Sequence, residues 1–212
     1  MSADIDTLTK AIAAQRVVPV IRTETVEDAI ETARACAAGG MSVVELTTST
    51  PDVHRAVRVL ANEGLTVGVG TLRHRNELAA VARAGALFSV SYFTPTGFVE
   101  RSLDQGLMPI PGALTPGEIQ TAVSVGARVV KIFPAWQSDP RIIADLAPLV
   151  GPVDYIVTAG LTDESTLRWL EAGALAVGTG RALGTAASIG AEAVRDNVHT
   201  ALLHARAAEV AR

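Results

Sequence analysis

The run Val129-Val130-Lys131-Ile132-Phe133-Pro134 sets a lysine among apolar residues, a pattern that predicts a buried strand. Hydrocarbon surroundings disfavour the charged form of an amine, and a neutral amine attacks carbonyl carbon. Schiff-base chemistry at Lys131 is therefore the first reaction to consider. The competing reading is a strand-end lysine whose stem carries its ammonium out to water. Glu45 stands in a similar run, Val43-Val44-Glu45-Leu46, where a carboxylate needs a partner. It reads either as half of a structural ion pair with Lys131, which is weak evidence for stability, or as a general acid/base beside the amine. Arg22 follows Val18-Pro19-Val20-Ile21. It is either a surface charge opening the next helix or a guanidinium that grips a carboxylate in bidentate fashion.

Bringing these groups together is the work of the elements that carry them. Short Val/Ile-rich runs at 17–21, 42–46, 66–69, 86–90, 107–110, 128–133, 153–157 and 174–177 alternate with helical stretches. Helix starts are marked by Thr25, Thr115 and Thr162, each ahead of acidic residues, and helix stops by the Ala-Gly or Val-Gly joints at Gly39, Gly85, Gly126 and Gly173. Eight strand-helix units are the number that closes a parallel (β/α)8 TIM barrel, with an open doubly wound sheet as the competing architecture. One domain is expected over 1–212, with an extra N-terminal helix at 1–15, a barrel core at 17–183 and a C-terminal helix at 190–210. Residues two apart share a strand face. That rule aligns Val43, Glu45 and Thr47; Val129, Lys131 and Phe133; Val18, Val20 and Arg22; and Val67, Val69 and Thr71. Each set ends in polar chemistry at the strand's carboxyl end, where a barrel keeps its active site. Thr158-Ala159-Gly160 follows the seventh strand and Gly178-Thr179-Gly180-Arg181 the eighth, a location suited to an anion held by backbone N–H groups and a helix N-terminus.

Composition narrows the classes. A net charge of −4 and a pI near 5.6 supply no basic stripe for nucleic acid. No apolar run is long enough to span a bilayer and the start lacks a secretion pattern, so a cytoplasmic protein handling small molecules is expected. The lone Cys36 falls in a helical stretch and reads as a buried, idle thiol. His54, His74, His199 and His204 fall on predicted helices, and the last two are not spaced as a zinc-binding pair, so neither a metal nor a cofactor is expected.

On Val18-Pro19-Val20-Ile21-Arg22, Val44-Glu45-Leu46-Thr47, Val67-Gly68-Val69-Gly70-Thr71, Pro109-Ile110-Pro111-Gly112 with Thr115-Pro116-Gly117-Glu118, and Val130-Lys131-Ile132-Phe133-Pro134, the chain resembles the class I aldolases acting on 2-keto-3-deoxy-6-phosphogluconate and 4-hydroxy-2-oxoglutarate. The likeness runs over about 17–183. It implies a metal-free homotrimeric barrel that cleaves a 2-keto-4-hydroxy acid to pyruvate and an aldehyde such as glyceraldehyde 3-phosphate. It also implies an imine on Lys131, proton transfer by Glu45 through a water, a substrate carboxylate held by Arg22 and Thr71, and Phe133 packed near the imine. Thr158, Ala159, Gly160, Gly178, Thr179, Gly180 and Arg181 would hold the phosphate or another anion. This chain departs from the family's pattern at Tyr92, usually proline; at Ala159, commonly glycine; at Arg181, often serine; and at Ser49, where some relatives have arginine. The departures gather on the anion side, which leaves 4-hydroxy-2-oxoglutarate and 2-keto-3-deoxy-6-phosphogalactonate as alternative substrates. Two rivals remain: a barrel isomerase or synthase that uses Lys131 only as a charge, and a non-catalytic relative that senses a keto acid.

Overall fold

The computed structural model describes residues 4–210. Its strands are β1 (Val17–Ile21), β2 (Val43–Thr47), β3 (Thr66–Gly70), β4 (Phe88–Val90), β5 (Met108–Ile110), β6 (Gly112–Ala113), β7 (Val129–Ile132), β8 (Asp154–Thr158) and β9 (Ala176–Thr179). All pairings are parallel, in the order β5-β4-β3-β2-β1-β9-β8-β7-β6. The expected fifth strand, 107–110, covers β5 alone, and β6 is a further short strand beyond it. Pro111 separates β5 from β6, and proline has no N–H to give a ladder. β5 pairs with β4 and β6 with β7, while the Pro111 carbonyl accepts Lys131 N–H at 2.8 Å. The ring therefore closes through the chain itself, and the architecture is the expected barrel.

Helices α2 (Val26–Ala38), α3 (Val53–Asn62), α4 (Leu78–Ala84), α5 (Phe98–Asp104), α6 (Pro116–Ser124), α7 (Ile142–Val150), α8 (Asp163–Glu171), α9 (Ala186–Ile189) and α10 (Ala191–Val210) surround the strands. Thr115 and Glu118 form the expected capping box, Thr162 forms one with Ser165, and the Thr25 hydroxyl accepts Asp28 N–H. Gly85 and Gly173, with φ near +104° and +107°, turn the chain out of α4 and α8 into the next strand, a conformation that costs glycine nothing. No helix among the described residues is long and apolar enough to cross a membrane.

Helix α1 (Ile5–Gln15) decides which end of the barrel is open. Its Leu8 and Ile12 join Val18, Val43, Phe88, Met108, Val129 and Ile156 in the interior core. The buried Gln15 amide donates to the Val17 and Val43 carbonyls at 2.7 Å and its oxygen accepts Val43 N–H at 2.9 Å, so the plug is hydrogen-bonded across β1 and β2. The amino-terminal mouth is stopped, which leaves the carboxyl ends of the strands as the open face.

Two expectations about placement fail. On β3 the valines do not point inward: Val67 and Val69 pack with the helices, beside Val44, Leu46 and Val130. Gly68 and Gly70 line the interior instead, because Phe88 and Glu45 occupy the space their side chains would need. His74 lies in the loop between β3 and α4 rather than on a helix, its N–H held by the Glu77 carboxylate at 2.7 Å.

Candidate active site

Alternation along β7 puts Lys131 on the interior face with Val129, and alternation along β2 does the same for Glu45 with Val43. The two side chains are 7% and 6% exposed, and Lys131 Nζ lies 3.5 Å from Glu45 Oε2. No hydrogen bond among the described residues fixes the Glu45 carboxylate; its ion pair and its packing do. The strand-end reading of Lys131 is excluded by this burial. The Phe133 ring centroid is 6.0 Å from Nζ, and Tyr92 packs 6.2 Å from Phe133 and 4.9 Å from Phe93. An aromatic wall thus rises from the amine to the partly exposed rim. The wall depends on Gly112, the residue in register with Lys131, because a Cβ there would fall 2.2 Å from the Tyr92 carbonyl carbon.

Thr71 reaches this mouth by a route that strand alternation does not give. Its φ of +63° turns the chain back at the end of β3, and its hydroxyl accepts a hydrogen bond from Arg22 Nη2 at 3.3 Å. The guanidinium is exposed and pairs with no carboxylate among the described residues, so its bidentate edge remains available. Ser49 is tied elsewhere, to the Thr47 hydroxyl at 2.9 Å.

At the carboxyl ends of β1, β8 and β9 a cavity of about 700 Å³ opens. Arg22 and Arg181 are in its wall and no aspartate or glutamate is, which makes it a cationic recess. Lys131 and Glu45 are not among its lining residues, whereas Val20, the residue in register with Glu45, is. Thr158, Ala159 and Gly160 form one side and Gly178, Thr179, Gly180 and Arg181 the other. Thr158 Oγ1 is buried without a hydrogen-bond partner, and Gly178 leaves it room, since a Cβ there would come within 2.3 Å. Ala159 holds φ at +82°, a left-handed value that costs a residue with a Cβ about 1 kcal/mol or more. Deep in the recess is Cys36, whose thiol burial pushes up to about 12, leaving it without nucleophilic character.

The anion turn lacks the helix N-terminus that its sequence suggested. The next helix, α9, starts at Ala186, and its first N–H groups are already occupied: Ala186 donates to Thr32 Oγ1 and Ala187 to Asp28 Oδ1, both at 2.8 Å. The turn's own backbone and Arg181 are what remain to meet an anion. Sequence reasoning also passed over Trp136, which is 65% exposed just past β7 and packs where a Gly160 Cβ would stand, 2.8 Å from its Cδ1. The signal was its position, three residues after Phe133 at a strand's carboxyl end.

The chain as a whole has known relatives. A family model described as KDPG and KHG aldolase matches residues 8–199. The KHG/KDPG aldolase of Escherichia coli (strain K12) is 37% identical over 155 residues, 69% of this chain and 70% of that protein. The 2-dehydro-3-deoxy-phosphogluconate aldolase of Dickeya dadantii (strain 3937) is 34% identical over 153 residues, covering 69% and 70%. Among solved structures, KDPG aldolase from Legionella pneumophila, with pyruvate captured as a covalent carbinolamine, superposes with a TM-score of 0.77 at 25% identity over 94% of this chain and 96% of that one. With its match spanning most of its length, this chain belongs to the KDPG and KHG aldolase family of carbon–carbon lyases.

Proposed function

We propose that Lys131 is the imine-forming residue of this aldolase and that its substrate is a 2-keto-3-deoxy-4-hydroxy acid with a second anionic group, 2-keto-3-deoxy-6-phosphogluconate or a near relative. The observation that carries the assignment is the pairing of two buried ionisable groups, amine and carboxylate, 3.5 Å apart on the interior face of the open end. The amine adds to the C2 carbonyl and the carbinolamine loses water to give the iminium. Glu45, through a water, takes the proton of the C4 hydroxyl. The C3–C4 bond then breaks, its electron pair forms the C2–C3 double bond, and the iminium π electrons settle on nitrogen. An aldehyde leaves. The enamine takes a proton at C3, and water hydrolyses the imine to free pyruvate and Lys131.

Arg22, with Thr71 as its hydrogen-bonded neighbour, holds the substrate carboxylate, and Phe133 packs beside the imine. The far anion lies in the cationic recess, against the Thr158-Ala159-Gly160 turn and the Gly178-Thr179-Gly180-Arg181 turn. An Arg181 guanidinium serves phosphate or carboxylate equally, so 4-hydroxy-2-oxoglutarate and the galactonate epimer fall in the same substrate class. The resemblance further supports a cytoplasmic homotrimer with no cofactor, metal, nucleic-acid or membrane partner. Pyruvate release from a panel of 2-keto-3-deoxy acids, measured for wild type and Lys131→Met, tests the assignment. Release that survives Lys131→Met would refute it, and wild type that binds but never cleaves would mark a keto-acid sensor.

A further inference from the structure

We infer that Gly70 is a positioning residue for the reaction: the side chain it lacks is the space in which the Glu45 carboxylate sits. A Cβ built on Gly70 falls 1.8 Å from Glu45 Oε1, 2.6 Å from Cδ and 3.0 Å from Cγ, and these are its three nearest atoms. Gly70 faces Thr47 in the β2–β3 register, two residues beyond the Glu45–Gly68 pair, so the glutamate leans along the interior toward the open end and lies across the β3 backbone. With no hydrogen bond among the described residues to fix it, the carboxylate is placed by Lys131 on one side and by the vacancy at position 70 on the other. Backbone conformation does not account for the glycine, since Gly70 is not among the positive-φ residues and alanine fits its strand geometry. Space is the reason left.

Alanine at this position forces Oε1 back by at least 1.2 Å, the difference between 1.8 Å and the 3.0 Å floor that real Cβ contacts respect. The displaced atom is the end of a flexible side chain and not backbone, so the barrel absorbs the change while the proton carrier leaves its post. Misplacing a reacting group by about 1 Å costs on the order of 100-fold in rate. This inference rests on Glu45 as the proton carrier of the proposed mechanism, and its test separates the two.

The readout is exchange of pyruvate methyl protons with deuterium oxide. In that half-reaction the C3–H bond of the Lys131 imine breaks, the proton passes to Glu45 through a water, and the electron pair forms the enamine, which then takes a deuteron. Wild type, Gly70→Ala, Glu45→Ala and the double variant are compared for exchange and for borohydride-trapped pyruvate adduct. Gly70→Ala should trap pyruvate as wild type does and keep its KM, yet exchange about 100-fold more slowly. Adding Gly70→Ala to Glu45→Ala should slow exchange no further, because the glycine acts only through that carboxylate. Penalties that multiply in the double variant, or exchange in Gly70→Ala within about threefold of wild type, would overturn the inference. Should Gly70→Ala fail to fold, the double variant decides: folding regained without the carboxylate supports the steric claim, and loss in both refutes it. Failure of the mechanism it rests on looks different: Glu45→Ala would exchange as fast as wild type, or wild type itself would trap no pyruvate.

Discussion

Replacing Lys131 with methionine keeps most of the stem and removes the charge, leaving Glu45 buried opposite a thioether. At 3.5 Å and an effective dielectric near 20, the lost attraction is about 5 kcal/mol. Breaking one side of a buried pair typically costs about 3–5 kcal/mol, most of it the stranded partner. The long separation and the absence of a supporting hydrogen bond among the described residues favour the lower end, about 3 kcal/mol. With a urea slope of about 3 kcal/mol per molar, the unfolding midpoint of Lys131→Met should fall by about 1 M. Adding Glu45→Leu should restore that midpoint or raise it above wild type, since well-packed apolar residues replace a buried pair without its desolvation cost. Both variants should be inactive. Equilibrium urea unfolding followed by circular dichroism gives the comparison. A Lys131→Met midpoint equal to wild type, or a double variant weaker than the single, would refute the idea that the pair is kept for chemistry at the expense of stability.

Native protein at pH 8 should react with no thiol reagent at Cys36, whose thiol is held near 12 by burial, and one equivalent should react in urea; fast native labelling would contradict this. Gly112→Ala should destabilise by about 1–3 kcal/mol and lower activity, because its Cβ meets the Tyr92–Phe93 backbone, which cannot step aside as a side chain can; thermal melts check it. Hydrogen bonds from Thr115 N–H, Leu114 N–H and the Thr115 hydroxyl hold the Glu118 carboxyl below its ordinary range. A depressed folded-state value means stability that is present above the unfolded value near 4.5 and lost as pH falls through the folded one. The gap between wild type and Glu118→Gln, under about 1 kcal/mol on so exposed a group, should therefore be seen at pH 7 and close toward pH 3. Arg181→Ser should raise KM for substrates carrying a second anion and leave that for pyruvate exchange unchanged; equal effects on both would remove Arg181 from the far-anion site.

The barrel was legible because each strand announces itself. The eight apolar runs fall within two residues of the strands, and Lys131 and Glu45 stand out as charges in runs that want burial. What escaped was decided by space rather than pattern. On β3 valine and glycine alternate, and hydrophobicity alone sends the valines inward. The interior was already filled by Phe88 and Glu45 from neighbouring strands, so the glycines took that face. Thr71 was placed at the mouth by counting along the wrong face, and it arrives there through a left-handed turn that no propensity signals for threonine. The helix N-terminus expected after β9 failed for a tertiary reason, since Asp28 and Thr32 of α2, more than 150 residues earlier, already accept its N–H groups. β6 escaped because it lies past Pro111, beyond the run at 107–110, and its two residues are too few to show a period.

Treatment with borohydride and pyruvate, followed by peptide mass spectrometry, tests the central claim most directly. The account predicts a stable adduct, pyruvate less one oxygen, on the peptide containing Lys131 and nowhere else, lost in Lys131→Met. A folded wild-type protein that yields no adduct, or carries it on another lysine, would contradict the account.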